Sequence, residues 1–392
     1  MRKNALQWFG LVAGILLALG LIVLAGASLK NSEKWFHGNQ FAFLTRQLVF
    51  AGVGILGAAV VAKIDYHVWK NHRILTWLLY GGIFVLLLAV FPPIGHKVNG
   101  AYRWIPLGPI NLQPSEFAKL AIVITVAMWM DYLGWKAERF WRGAVTPLAL
   151  IGVYAAPILC ETDLGSTMVV VAAGALMMLL GGTRWIYFFG AIGIGVAGIA
   201  GVLIFNSNRL YRLAPWLPTA VCNWLGIEKA VEGSGKYQVL NSLRAIKRGG
   251  LWGVGHGESL QSEGQYLPEA HTDFVLAVGA EDLGILCSIA VVILFFAFFI
   301  LAVHISRKAS DRFGRYLAFG MAFIIFFQAM FNLGVICEAL PTKGMALPFF
   351  SYGGTNMIAS CIAVGFILSV GIHSYKEKKS KLRSSVYMKR GG

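Results

Sequence analysis

The chain has 392 residues, 57% of them hydrophobic and only 13% charged. Soluble domains average about 25% charged residues, so composition excludes a string of ordinary soluble domains. The formal net charge of +16 raises nucleic acid as a partner. The basic residues, however, sit in short clusters between apolar runs, a pattern that orients membrane helices.

Taken in chain order, the apolar runs predict ten transmembrane helices near 8–28, 43–63, 74–92, 114–132, 144–160, 166–182, 185–205, 272–304, 316–338 and 351–374. A bilayer is crossed by ~20 residues of helix. The runs do not alternate with period two, which excludes a membrane barrel. Backbone groups in lipid must then be satisfied within helices. The fold expected is an all-α polytopic membrane protein, with one transmembrane domain over 1–375 and a basic cytoplasmic tail over 376–392. The first run follows Arg2 and Lys3 as a signal peptide would, but no clear small-residue cleavage site follows it. It is read as a retained first helix.

With ten spans, the basic clusters all fall on one side: Arg2/Lys3, Lys63/Lys70/Arg73, Lys136/Arg139/Arg142, Arg184, Arg307/Lys308/Arg312/Arg315 and Lys376 to Arg390. That side is cytoplasmic, so both termini are cytoplasmic. The outer loops are then 29–42, 93–113, 161–165, 339–350 and the long 206–271, whose Leu, Trp and Tyr content favours order. The five cysteines, Cys160, Cys222, Cys287, Cys337 and Cys361, have no metal-like spacing and read as small packing residues.

Charges inside or beside apolar spans are costly, at least ~2.5–3.5 kcal/mol at the bilayer centre, and so point to function or to ion pairing. The first concentration runs from Asn99 to Lys119. Pro114 suits the first position of a helix, where an N–H is spare. Glu116 then falls in the first turn, which favours an anion. Lys119 lies three residues on, on the same face. Its partner is either Glu116 or a phosphate-bearing ligand that Arg103 and the helix N-terminus would also hold.

The second concentration is Leu267–Phe274, entering the eighth span. Thr272 or Asp273 could cap a helix. In one unbroken helix, Glu281 and Asp282 would lie at the outer boundary and Asp273 about 12 Å further out. The third is LPTKGMALPFFSYGG (340–354), a shaped lead-in to the tenth span. Non-helical backbone at membrane depth must be buried in protein or line a wet cavity. It is either a rigid re-entrant turn or a loop whose amides and Ser351 grip oxygen-rich groups. Asp163, in the turn between the fifth and sixth spans, and Arg46, opening the second, face the same side. A shared outer-facing polar cavity for an anionic, partly lipidic ligand explains all of these most simply.

The combination NGAYRWIPLG…QPSEFAK (99–119), TDLGS (162–166), LPEAHTDF…EDLG (267–284) and PTKGMALPFFSYGG (341–354) resembles the SEDS family (shape, elongation, division, sporulation) of peptidoglycan glycosyltransferases. Lys343-Gly344 resembles the division-type branch more than the elongation-type one. The resemblance implies a bacterial cytoplasmic-membrane enzyme, at the division septum, that polymerises lipid II into β-1,4 glycan on the outer face. It implies a class B penicillin-binding transpeptidase and other divisome proteins as partners. It makes Asp273 the catalytic base. Arg103, Lys119, Glu116, Gln113, Arg46, His271, Lys343 and Ser351 become substrate-binding candidates, with Asp163, Glu281 and Asp282 in support. A divalent cation, Mg or Mn, between pyrophosphate and carboxylates is compatible with this, although no dedicated metal motif is present. A lipid II flippase or a non-catalytic division scaffold is the alternative.

Overall fold

The computed structural model describes all residues except 1, 37, 93, 99–100, 109, 205–233, 261–266, 268–269, 341–343 and 391–392. Its helices are α1 (Arg2–Trp35), α2 (Ala42–Lys63), α3 (His67–Asn71), α4 (Arg73–Ala89), α5 (Pro114–Leu133), α6 (Thr146–Cys160), α7 (Leu164–Leu180), α8 (Trp185–Ile204), α9 (Ser234–Gly249), α10 (Val275–Leu283), α11 (Ile285–Arg307), α12 (Arg312–Ile336) and α13 (Gly354–Arg390). Seven helical segments are long and apolar enough to cross a membrane, α6 being extended by a π-helical turn to Phe140–Cys160, and α4, α7 and α8 are shorter apolar helices. Among the described residues this reproduces the ten expected spans. The helices bury small and branched residues inward and leave Leu56, Ile74, Leu78, Val85, Ile293 and Ile300 exposed, as a lipid-facing surface requires.

The cytoplasmic end is tied by charge. Lys70 of α3 reaches Asp131 of α5 at 3.0 Å and Asp311, which caps α12, at 3.1 Å. The Tyr66 hydroxyl donates to Asp311 and lies 2.9 Å from Ser310 Oγ. Lys70 thus belongs to a network as well as to an orienting cluster.

The outer end departs from simple loops. The strands β1 (His96–Val98), β2 (Ala101–Leu107) and β3 (Ile110–Leu112) form a small antiparallel meander. The left-handed Gly108 (φ +66°) lies in the turn between β2 and β3. Of the long loop, α9 is described. It is amphipathic, burying Val239, Ser242, Ala245 and Gly249 against α10 and α12. Gly249 abuts the α10 backbone so closely that a Cβ there would overlap Ala280 O. Trp216 and Trp224, among the aromatic residues of this loop, lie outside the described residues.

The eighth span is where sequence and structure part most. It breaks at Gly284 (φ +84°, ψ 167°) into α10 and α11. Gly279 lies against Val23 of α1, and Asp282 against Gly26, so α10 runs in the same direction as α1. α11 then returns antiparallel, with Phe298 against Phe9, ring centroids 4.9 Å apart. An unbroken helix placed Asp273 about 12 Å outside Asp282. The reversal inverts that order, and Asp273 lies roughly 10 Å deeper at 1.5 Å per residue of α10.

Candidate functional site

The site is assembled where the N-termini of α5, α7 and α13, at the outer end, meet the deeper-lying N-terminus of α10. α5 begins with Gln113 as its N-cap and Pro114 at its first position. Lys119 Nζ stands 2.8 Å from Glu116 Oε1, and both side chains are buried. The three-residue spacing therefore forms an ion pair inside the protein, at a helix end whose dipole favours the glutamate and disfavours the lysine.

Asp163 caps α7. Its Oδ1 accepts from Ser166 N at 3.1 Å, and its Oδ2 from Ser166 Oγ at 2.8 Å and Gln113 Nε2 at 3.2 Å. Gln113 thus joins α5 to α7, while its own N–H donates to Thr355 Oγ1 at the start of α13. The turn between α6 and α7 is held from β2. Arg103 Nη2 donates to Thr162 O at 2.7 Å and its Nε to Glu161 O at 3.4 Å. Thr162 adopts a left-handed backbone (φ +66°) that a β-branched residue rarely takes. Glu161 is fully buried, and among the described residues neither of its carboxyl oxygens has a hydrogen-bond partner. Burial, reinforced by Asp163 and opposed by Arg103, pushes its pKa up to about 8.

The remaining wall is irregular backbone from two segments. Residues 270–274 precede α10, and 344–353 precede α13. They are stitched together: Tyr352 N donates to His271 O at 2.9 Å, and Ser351 Oγ donates to Thr272 O at 2.5 Å while accepting from Leu347 N. Asn332 of α12 spans both, its Nδ2 donating to Asp273 O at 2.7 Å and Met345 O at 2.8 Å. Gln47 of α2 holds the second segment, donating to Ser351 O and accepting from Gly353 N. Every backbone group engaged this way is removed from the need for water, which permits non-helical chain at this depth.

Asp273 does not cap α10, whose N-cap is Phe274 with no side-chain bond. Its carboxylate faces Gly344, where a Cβ would stand 3.0 Å from Oδ2. Gly344 O in turn lies against Gly165, beside Asp163. The glycines at 165 and 344 thus let the Asp163 and Asp273 segments approach closely.

Of the sequence candidates, Asp273, His271, Ser351, Gln113, Asp163, Arg103, Glu116 and Lys119 are brought to this region. Lys343 lies outside the described residues. Arg46 is exposed, its guanidinium 4.5 Å from the centre of the Phe36 ring. It connects to the site through the ring series Phe36, Phe43, His271 and Tyr352. Glu281 and Asp282 turn to the loop after α9. Glu281 takes Arg248 Nη1 at 2.6 Å, Ser259 Oγ and Leu260 N, and Asp282 takes Gly257 N at 3.0 Å. Gln47 and Asn332 were not picked out from the sequence. Their signal was a carboxamide in an apolar span, which in lipid must find partners. A cleft of about 560 Å³ lined by Lys70, Asn71, His72, Arg73 and Ile74 lies at the cytoplasmic end and shares no residue with this cluster.

Residues 6–376 match the family of cell cycle proteins typified by FtsW, RodA and SpoVE. The chain belongs to this family. Among curated relatives, a "probable peptidoglycan glycosyltransferase FtsW" of Geobacter sp. (strain M18) is 35% identical over 92% of this chain and 95% of its own length. Its namesake in Legionella pneumophila is 36% identical over 93% and 90%. Among solved structures, a chain of a peptidoglycan synthase complex that coordinates polymerisation and crosslinking superposes with a TM-score of 0.69. It is 22% identical, over 94% of this chain and 97% of that one. Rod shape determining protein RodA of Thermus thermophilus gives 0.66 at 24% identity, over 94% and 96%. The ten-helix membrane architecture is therefore that of the family.

Proposed function

We propose that this chain is a peptidoglycan glycosyltransferase, of the FtsW type, that polymerises lipid II into β-1,4 glycan strands on the outer face of the bacterial cytoplasmic membrane, at the division septum. The observation that carries the reading is Asp273, set in irregular backbone where helix N-termini meet and beside the Gly344–Gly165 contact. The FtsW relatives, similar over more than nine-tenths of the chain, support it.

In this reading Asp273 is the general base. It takes the proton from the GlcNAc 4-hydroxyl of one lipid II as that oxygen attacks MurNAc C1 of the other. The C1–O bond to the pyrophosphate breaks, and the α-linked donor gives an inverted, β-linked product. Arg103 stabilises the departing pyrophosphate together with the helix N-termini, whose dipoles favour anions. Lys119 contributes positive charge held in register by Glu116. Ser351, His271 and Gln113 order the surrounding backbone, and Lys343, next to Gly344, is a further candidate contact.

Among the described residues no three His, Cys, Asp or Glu side chains gather to hold a metal. Asp163 already accepts three hydrogen bonds. The residues suit only the open kind of Mg or Mn site, in which one carboxylate, here Asp273, shares the ion with substrate phosphates. Such an ion would neutralise pyrophosphate charge.

A penicillin-binding transpeptidase that crosslinks the new strands is the expected partner, with further divisome proteins around it. The solved complex with the same fold couples polymerisation to crosslinking. The direct test is polymerisation of labelled lipid II by purified protein in detergent, where no second compartment exists for a flippase to serve. Wild type should form polymer. Asp273→Asn should bind lipid II and fold normally while losing at least about 100-fold in rate, the usual scale of general-base catalysis. Near-normal polymer from Asp273→Asn would remove it from the base role.

A further inference from the structure

The turn between α6 and α7 holds a carboxyl that the proposed reaction does not use. Glu161 is fully buried, and its two oxygens are without hydrogen-bond partners among the described residues. A carboxylate in that state is far costlier than the neutral acid. Its neighbour Arg103 carries a permanent charge and would form a two-pronged pair with a carboxylate within reach. Instead, Arg103 donates to the backbone carbonyls of Thr162 and Glu161, which leaves Nη1 without a partner among the described residues. Asp163, two residues on, is in the opposite environment, with three donors stabilising its charge.

We propose that Glu161 is a positioning residue: by keeping its proton, it leaves the Arg103 charge available to the anionic diphosphate of the substrate instead of quenching it in an internal ion pair. The inference rests on the reading of the outer site as the lipid II site. The charged groups acting on Glu161 are Asp163, from the start of α7, and Arg103, from β2. Loss of the proton would lower the local charge by one and give Arg103 a carboxylate that competes with the ligand. Linkage makes the effect reciprocal, so bound diphosphate tightens the proton on Glu161.

The test compares purified full-length wild type, Glu161→Gln and Glu161→Met across pH, with lipid II as substrate. Wild-type KM should rise severalfold between about pH 7 and pH 9, as Glu161 ionises near 8. Glu161→Gln, permanently neutral, should match the wild-type KM at pH 7 and show no such rise. Glu161→Met serves the same purpose if the amide impairs folding. Superimposed KM profiles from active wild type and active variant would overturn the role of Glu161 alone. A wild type that makes no polymer would overturn the substrate reading, and this inference with it.

Thermal unfolding in detergent supplies a readout free of activity. The folded protein binds this proton more tightly than the unfolded chain, about 8 against an ordinary 4.5. The associated stability is whole below pH 4.5 and is lost as pH rises to about 8. The midpoint of Glu161→Gln minus that of wild type should therefore grow across that window and then level off. A gap independent of pH would overturn the proposal.

Discussion

Single side chains at the outer end follow one rule, that a buried charge must be neutralised by a partner or by a proton. Among the described residues the buried ionisable acids and bases outside the tyrosines and cysteines are Glu116, Lys119, Glu161, Asp163, Glu281 and Asp282, and all six lie at the outer ends of helices. Lys119 has Glu116, Asp163 has hydroxyl and amide donors, and Glu281 has Arg248. Removing one partner of a buried pair typically costs about 3–5 kcal/mol, whereas replacing both with apolar groups is often near neutral. Lys119→Met should thus lower the thermal midpoint in detergent sharply, and Glu116→Leu/Lys119→Met should regain most of it. If the double variant is stable yet slow with lipid II, the pair serves the substrate. If it is stable and fully active, the pair is structural. Sequence spacing alone left that choice open, because an i, i+3 pair and a ligand-binding lysine look identical in one dimension.

Among the elements, α10 matters most, because its direction decides where Asp273 lies. The run 272–304 is apolar on both sides of Glu281 and Asp282, and Gly284 beside them reads as an ordinary glycine. Only its positive φ and the packing of α10 along α1 reveal the reversal. A Cβ at Gly284 would meet the Leu251 carbonyl as well as the strained backbone. Gly284→Ala should therefore destabilise by more than the ~1–2 kcal/mol of a left-handed non-glycine residue, seen as a lower midpoint and reduced polymer yield. Asn332 tests the wall behind the site. Asn332→Leu removes the donor to the carbonyls of Asp273 and Met345, at about 1–3 kcal/mol each. It should slow polymerisation while leaving lipid II retention largely intact, because it loosens the backbone that aims Asp273. Equal rates for Asn332→Leu and wild type would show that this wall does not position the aspartate.

For the whole molecule, the arrangement is two-ended. The cytoplasmic end carries the orienting Lys and Arg and the Lys70–Asp131–Asp311 network, and the outer end carries the polar site. Trp252, after α9, is 82% exposed, and Trp135, after α5, is 72% exposed, at opposite ends. With native cysteines replaced by serine, Trp252→Cys should label with a membrane-impermeant maleimide on intact cells. Trp135→Cys should label only after permeabilisation, and the reverse pattern would invert the topology and move the site to the cytoplasm.

The sequence by itself determined the number of spans, and it predicts their orientation and the residue types of the candidate site. Those depend on local hydrophobicity, on Lys and Arg counts in loops and on short motifs. Its wider residue set was less well resolved: Arg46 proved to be a surface cation over Phe36, and Gln47 beside it reaches the loop. Tertiary structure alone decided that Asp273 lies inside Asp282, that Gln47 and Asn332 hold the irregular walls, and that Glu161 is buried with no donor among the described residues. The physical reason is that these facts arise from contacts between residues up to some three hundred positions apart. Chain direction after a break and the partner of a buried polar group are settled by packing, not by composition.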